Sequence, residues 1–305
     1  MKILKGFFQI FFRGRLIALP VALLMVLAAC SQTPSREGAP SASSPVSVSP
    51  SPSPSPSPLP IPTGTPALDT AETVATELIA AEQAIRSPET NTALLPRLGR
   101  IQQAAYRAAV ANPEFKQAVL KAAPADLRDN LEANIRAGEE LRQLTKPGTK
   151  LPDWTIVEPA PAGELRRYYG EAEAEFGIPW GYLASIHLIE TRMGRIRGNS
   201  SAGAQGPMQF MPATWAAYGE GDINNTRDAI FGAARYLKAS GAPGNMGKAL
   251  FAYNRSQRYV DAITLYAEQM LEDDRAFNGY YHWQVYYRLP DRDVLLEAGV
   301  PIPQQ

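Results

Sequence analysis

Glu190 is the residue whose setting in the sequence could support acid–base chemistry. It lies in residues 180–194, WGYLASIHLIETRMG, a stretch that is apolar almost all round, which is the pattern of a buried helix. His187, Ile186 and Leu183 stand three, four and seven residues before it, so the glutamate projects from a mostly apolar helical face. Burying an ionised carboxylate is costly. Desolvation raises the pKa, and a glutamic acid still protonated near neutral pH can act as a general acid. The plainer alternative is a glutamate at a helix end that reaches water or pairs with Arg192 or Arg195. His187, one turn earlier, reads as a packed core histidine.

Two further stretches carry suitable side chains. Residues 200–215, SSAGAQGPMQFMPATW, hold Gly203 and Gly206, which allow the backbone to come close to a ligand or to the Glu190 helix. Met208 and Phe210 offer an apolar wall there, and Gln209 offers two donors and an acceptor. Residues 249–254, ALFAYN, form an apolar helix ending in Tyr253-Asn254. Glu220 and Asp222 are the nearby candidates for a second carboxylate, but both sit in a Gly-rich turn where loop structure or capping is the simpler role.

Taken in order, Glu190-Thr191, then Gly203-Ala204-x-Gly206-x-Met208-Gln209-x-x-Pro212-x-Thr214, then Ala252-Tyr253-Asn254 resemble the soluble lytic transglycosylase (SLT) domain of the lysozyme-like superfamily. Phe210-Met211-Pro212 and Tyr253-Asn254-Arg255-Ser256 are also similar to the membrane-bound lytic transglycosylase B type. The resemblance covers roughly residues 165–290. It departs at Pro207, where leucine is usual, and at Arg255, where a small residue is common; both bear on subsite shape. It implies a helical lysozyme-like fold and non-hydrolytic cleavage of peptidoglycan glycan strands between N-acetylmuramic acid and N-acetylglucosamine, leaving 1,6-anhydro ends. It further implies that Glu190 is the single acid and then base, with Tyr253 beside it and Asn254 in support. Met208 and Gln209 would line the cleft at the cleaved bond, and Ser201 would contact the N-acetyl group or the scissile region. Thr191 bonds locally. No metal or organic cofactor is implied. Two rival readings are a lysozyme- or chitinase-type hydrolase pairing Glu190 with Asp222 or Glu220, and a non-catalytic peptidoglycan-binding lipoprotein.

Elements must position these residues, and the rest of the 305-residue chain supplies them. Lys2, Lys5, Arg13 and Arg15 precede a 14-residue apolar run ending in Leu27-Ala28-Ala29-Cys30, which resembles a lipoprotein signal peptide over 1–29. The resemblance implies lipid on Cys30, a membrane anchor and a place in the cell envelope; with no aspartate after the cysteine, this is the outer membrane if the cell has one. Removing that segment leaves 26 basic against 30 acidic residues, a mildly acidic body with no signature of nucleic-acid binding. Two histidines and one cysteine leave little material for a zinc site. Residues 30–66, with strict Ser-Pro alternation from Ser49 to Pro58, cannot bury a core and read as a disordered spacer of up to ~100 Å. Residues 67–145 read as a helical accessory domain cut into four segments by Pro88, Pro113 and Pro124, with solvated carboxylates and no chemistry, docking on the catalytic part or on an envelope protein partner. Residues 146–162 form a connector. Residues 163–305 form the catalytic domain, whose tail alternates from Trp283 to Leu289 as a strand and returns over residues 292–296. The expected class is therefore mainly α, with a lysozyme-like catalytic domain, a small C-terminal β-hairpin and a helical accessory domain in front.

Overall fold

The computed structural model describes residues 67–303; the signal segment, Cys30 and the Ser/Pro spacer lie outside the described residues. The protein is mainly helical. Four helices come first: α1 (Ala71–Arg86), α2 (Leu95–Ala111), α3 (Pro113–Ala122) and α4 (Arg128–Leu144). The prolines act as expected, Pro113 opening α3 while Pro88 and Pro124 fall between helices. Side-chain caps define the starts, with Thr70 accepting from the Thr73 amide and Asn112 from the Glu114 amide.

After a connector come α5 (Ala162–Phe176) and α6 (Trp180–Thr191), then α7 (Pro212–Tyr218), α8 (Thr226–Ala239), α9 (Met246–Tyr253), α10 (Gln257–Glu272) and α11 (Ala276–Tyr281). Leu165, Tyr169, Ala172 and Phe176 form the buried face of α5, as their spacing predicts. The chain ends in an antiparallel hairpin of β3 (Val285–Arg288) and β4 (Asp293–Leu296), with Val285 opposite Leu296 and Arg288 opposite Asp293. A second pair was not foreseen. β1 (Thr155–Ile156) in the connector pairs with β2 (Ile196–Arg197) just beyond α6. Ile156 joins Leu151, Val285, Leu289 and Leu296 in a small separate core.

One hydrophobic core runs from α1 to α11. α10 is its axis, packed against α6 on one side and α4 on another. α2 comes very close to α11: a Cβ on Gly99 would lie 2.7 Å from the Gly279 carbonyl oxygen. The seam also holds polar groups. Glu82 of α1, whose stretch reads from sequence as a solvated face, is instead fully buried. It accepts hydrogen bonds from Gln102 Nε2 (2.9 Å), Arg86 Nε (3.1 Å) and the Tyr106 hydroxyl. Arg86 and Asn130 both donate to Gln269 of α10 at 3.0 Å, and Trp283 donates to Gln102 at 2.8 Å. Apart from Arg86, one turn from Glu82, these partners are 20 to 183 residues apart in the chain, which is why local periodicity does not reveal them.

Candidate active site

α6 forms because Pro179 precedes it and nearly every position is apolar; Trp180, Leu183, Ala184, Ile186, His187 and Leu188 are all buried. It stops earlier than the glycine at 194 suggests. Arg192 (φ 54°) and Met193 (φ 60°) already take left-handed conformations before Gly194 (φ 84°). The Met193 amide closes back on the His187 carbonyl at 3.1 Å, a terminal bond of the Schellman kind. This early stop leaves Glu190 in the last turn, partly open to solvent.

Neither nearby arginine neutralises Glu190. Arg192 donates to the Leu188 carbonyl (2.7 Å), and Arg195 pairs with Glu158 (2.8 Å). Glu190 Oε1 instead accepts a hydrogen bond from the Tyr259 hydroxyl at 2.8 Å. Desolvation pushes the Glu190 carboxyl up to about 7, and the Tyr259 bond pulls only part of the way back. Charged neighbours contribute nothing to the shift. At neutral pH the group is therefore divided between acid and carboxylate, the condition a proton donor that must later accept requires.

The loop 203–210 is held against α6 through two consecutive carbonyls. The Thr191 hydroxyl donates to the Pro207 carbonyl at 2.6 Å, and the Tyr253 hydroxyl donates to the Met208 carbonyl at 2.7 Å. A two-way bridge between Gln205 and Phe210 (2.9 and 2.8 Å) closes the turn. Gln209 consequently sits at φ 49°, uncommon for a residue with a side chain and a form of strain that clusters at functional sites. Its amide nitrogen donates to the Gly206 carbonyl at 3.0 Å. Gly206 is required sterically, since a Cβ there would lie 2.1 Å from the Ile223 carbonyl oxygen. The close approach is thus to the loop before α8, not to the Glu190 helix. Gly203 (φ 86°) faces open space and serves backbone conformation alone.

The residues singled out from sequence fall in different places. Tyr253 stands near Glu190, whose negative charge helps raise the phenol's pKa behind burial as the larger cause. Its hydroxyl, however, belongs to Met208. Its ring stacks on Tyr259 with planes 5° apart and centroids separated by 6.4 Å. The Met208 side chain is fully buried, so the group it offers here is its carbonyl. Gln209 is partly exposed and Ser201 exposed. Asn254 caps α9 through its backbone. Glu220 pairs with Arg235 at 3.1 Å with its side chain 77% exposed. Asp222 accepts from the Asn224 amide at 2.9 Å. Both carboxylates are occupied in shaping the turn before α8. His187 is a core residue; burial, helped by the charge of Arg197, holds it down to about 3, and its Nδ1 meets the Tyr169 hydroxyl at 2.7 Å.

Tyr259 is the residue that sequence reasoning missed. It opens α10, where its ring fits the helix's apolar face. A signal was available: a buried tyrosine hydroxyl needs a partner, and Glu190 is the carboxylate on an apolar face of the same region. Among the described residues no group of His, Cys, Asp and Glu is arranged to hold a metal ion.

Residues 167–269, from α5 into α10, match the family model described as transglycosylase SLT domain. That stretch is a transglycosylase SLT domain. It contains Glu190, the 203–210 loop, Tyr253 and Tyr259, and leaves α1–α4 and the C-terminal hairpin outside. The chain is also similar to the membrane-bound lytic murein transglycosylase F of Thiobacillus denitrificans, with 32% identity over 106 residues. The matched part is 32% of this chain and 22% of that relative, so the chain spans under a quarter of the relative's length. No solved structure matches significantly. Thr191, next to Glu190, ties the loop to the same helix end.

Proposed function

We propose that the protein is a peptidoglycan lytic transglycosylase that cleaves the β-1,4 bond between N-acetylmuramic acid and N-acetylglucosamine without water. The supporting observation is one carboxyl, Glu190, brought to about 7 by burial and held by Tyr259 with no charged partner. Hydrolases that use water usually need two carboxylates, and Glu220 and Asp222 are both committed elsewhere. A single group suffices if the sugar supplies its own nucleophile. Protonated Glu190 gives its proton to the glycosidic oxygen as that bond breaks. The resulting carboxylate takes the proton of the muramic C6 hydroxyl as that oxygen bonds to C1. The product is a 1,6-anhydro sugar, and Glu190 ends protonated, as it began.

In this reading Tyr259 fixes which oxygen of Glu190 is free for the sugar. Tyr253 fixes the loop, and Gln209, Ser201 and Asn254 border the strand. Met208 contributes to the cleft through the backbone that Tyr253 holds. Met211 and Phe251, 45% and 42% exposed, offer apolar surface on the elements that flank the site. Lipid on Cys30 and the spacer behind it would keep the enzyme within reach of the wall in the cell envelope. The name of the similar Thiobacillus protein agrees with membrane attachment, while no helix among the described residues is long and apolar enough to cross a membrane.

Mass spectrometry of muropeptides released from purified sacculi by the full chain tests the proposal. Anhydro products, lighter by one water than hydrolytic muropeptides, are expected. Reducing-end products would replace it with hydrolysis. Binding to sacculi with no release would replace it with a scaffold role.

A further inference from the structure

A cavity of about 180 Å³ opens where α2, α4, the end of α6 and the C-terminal hairpin meet. It is not at Glu190, and most of its wall lies outside the SLT domain. Four arginines line it (Arg107, Arg142, Arg192 and Arg288) against a single carboxylate, Asp293. Tyr106, Tyr266, Trp283 and Tyr286 form the aromatic part of the wall.

The charges do not cancel. Asp293 is used by Arg107, whose Nη2 lies 2.5 Å away while its guanidinium stacks 3.8 Å from the Tyr286 ring centre. Arg288 spends its two terminal nitrogens on the Arg142 and Thr145 carbonyls at the end of α4, and its Nε is buried without a partner. Arg192 has lost much of its hydration, and its hydrogen bond goes to a carbonyl, not to an anion. The Arg142 guanidinium has no hydrogen bond or ion pair among the described residues. Arg107 is held below its ordinary pKa by burial, offset by Asp293, with Arg142 and Arg288 adding repulsion. A desolvated cation without a counter-ion, as Arg192 is, is costly. Planar guanidiniums match a carboxylate with paired donors, and ring faces favour an organic body over a bare inorganic ion.

We propose that this cavity is a binding site for a small polycarboxylate of about dipeptide size, with Arg192 and Arg142 receiving its carboxylates and Tyr286 and Trp283 its carbon skeleton. The site makes no use of Glu190, so it stands or falls independently of the cleavage reaction. Its ligand is a short acidic peptide or a free organic acid, which share this chemistry.

Isothermal titration of the full chain with the dipeptide L-Ala-D-Glu is expected to show one site. Arg142→Ala, at an exposed position, and Arg192→Asn, which tolerates the left-handed backbone, are each expected to weaken it by about tenfold or more with an unchanged circular dichroism spectrum. The dipeptide's diamide is expected not to bind. Glutarate binding more weakly than the dipeptide assigns the source to peptide, and glutarate binding as well or better assigns it to a free acid; either keeps the carboxylate site. No binding, binding unchanged in both variants, or inorganic phosphate binding as tightly as the dipeptide overturns it.

Discussion

The protein buries two glutamates, each under a tyrosine hydroxyl, and treats them in opposite ways. Glu82, in the seam between the first four helices and α10, also receives Arg86 and Gln102 and is wholly enclosed. Glu190, at the end of α6, receives Tyr259 alone and stays partly open. The carboxylate given a cation and neutral donors ties helices together. One given a single neutral donor and an apolar surround is left near the balance point between its two protonation states. The two differ in the number and charge of their partners as well as in depth of burial.

Each carboxylate can be tested against the other. Glu190→Gln is expected to lower glycan cleavage by about a thousandfold or more with sacculus binding and the circular dichroism spectrum unchanged; retained turnover would end Glu190's claim to the chemistry. Glu82→Ala leaves Arg86 buried with Gln269, 3.0 Å away, as a neutral partner and the more distant Asp273, 3.6 Å away, as its carboxylate. Urea unfolding should show a loss of about 3–5 kcal/mol, with activity per folded molecule near that of the parent. If cleavage disappears while stability holds, the division of roles is wrong.

Tyr259→Phe removes the donor that favours ionised Glu190, so the carboxyl pKa should rise further above 7. In the proposed reaction cleavage requires the acid form and falls as pH climbs through that pKa, so the alkaline limb of the kcat/KM profile should move to higher pH in the variant. Its maximum should drop by about tenfold because the carboxyl is no longer oriented. An unmoved limb would show that Tyr259 only packs. Thr191→Val is the mildest change. It strands the Pro207 carbonyl and the Gly194 amide, costs about 1–3 kcal/mol by thermal unfolding, and should raise KM more than it lowers kcat.

Sequence reading was strongest where the determinants are local. The apolar run around Glu190, the face of α5, Pro113 at the start of α3 and the strand alternation from Trp283 all act within one element. The 203–210 loop was legible as a site but not as a geometry, because Gln209's left-handed backbone comes from a bridge between Gln205 and Phe210 and from carbonyls held by two other helices. Tyr259 and Glu82 were illegible for a common reason. Tyr259 meets its partner 69 residues back, and Glu82 meets Gln102 and Tyr106 across two helices. Helical periodicity reports which face is apolar, and a polar group answered across that face looks the same as one facing water.

α10 has a consequence for anyone who would move this chemistry elsewhere. Its first turn presents Tyr259 to Glu190, while α4 lies along another flank, tied by Arg258 to Glu140 at 2.7 Å and by Gln269 to Asn130 at 3.0 Å. Those ties are 11 residues apart, about 16 Å along the helix. A segment excised at residues 167 and 269 would keep every group placed at the site yet strip that flank bare, leaving the helix that aims Tyr259 with an unpaired polar row and an apolar surface in water. The matched stretch ends short of that flank, and the smallest transplantable part is larger than the matched stretch.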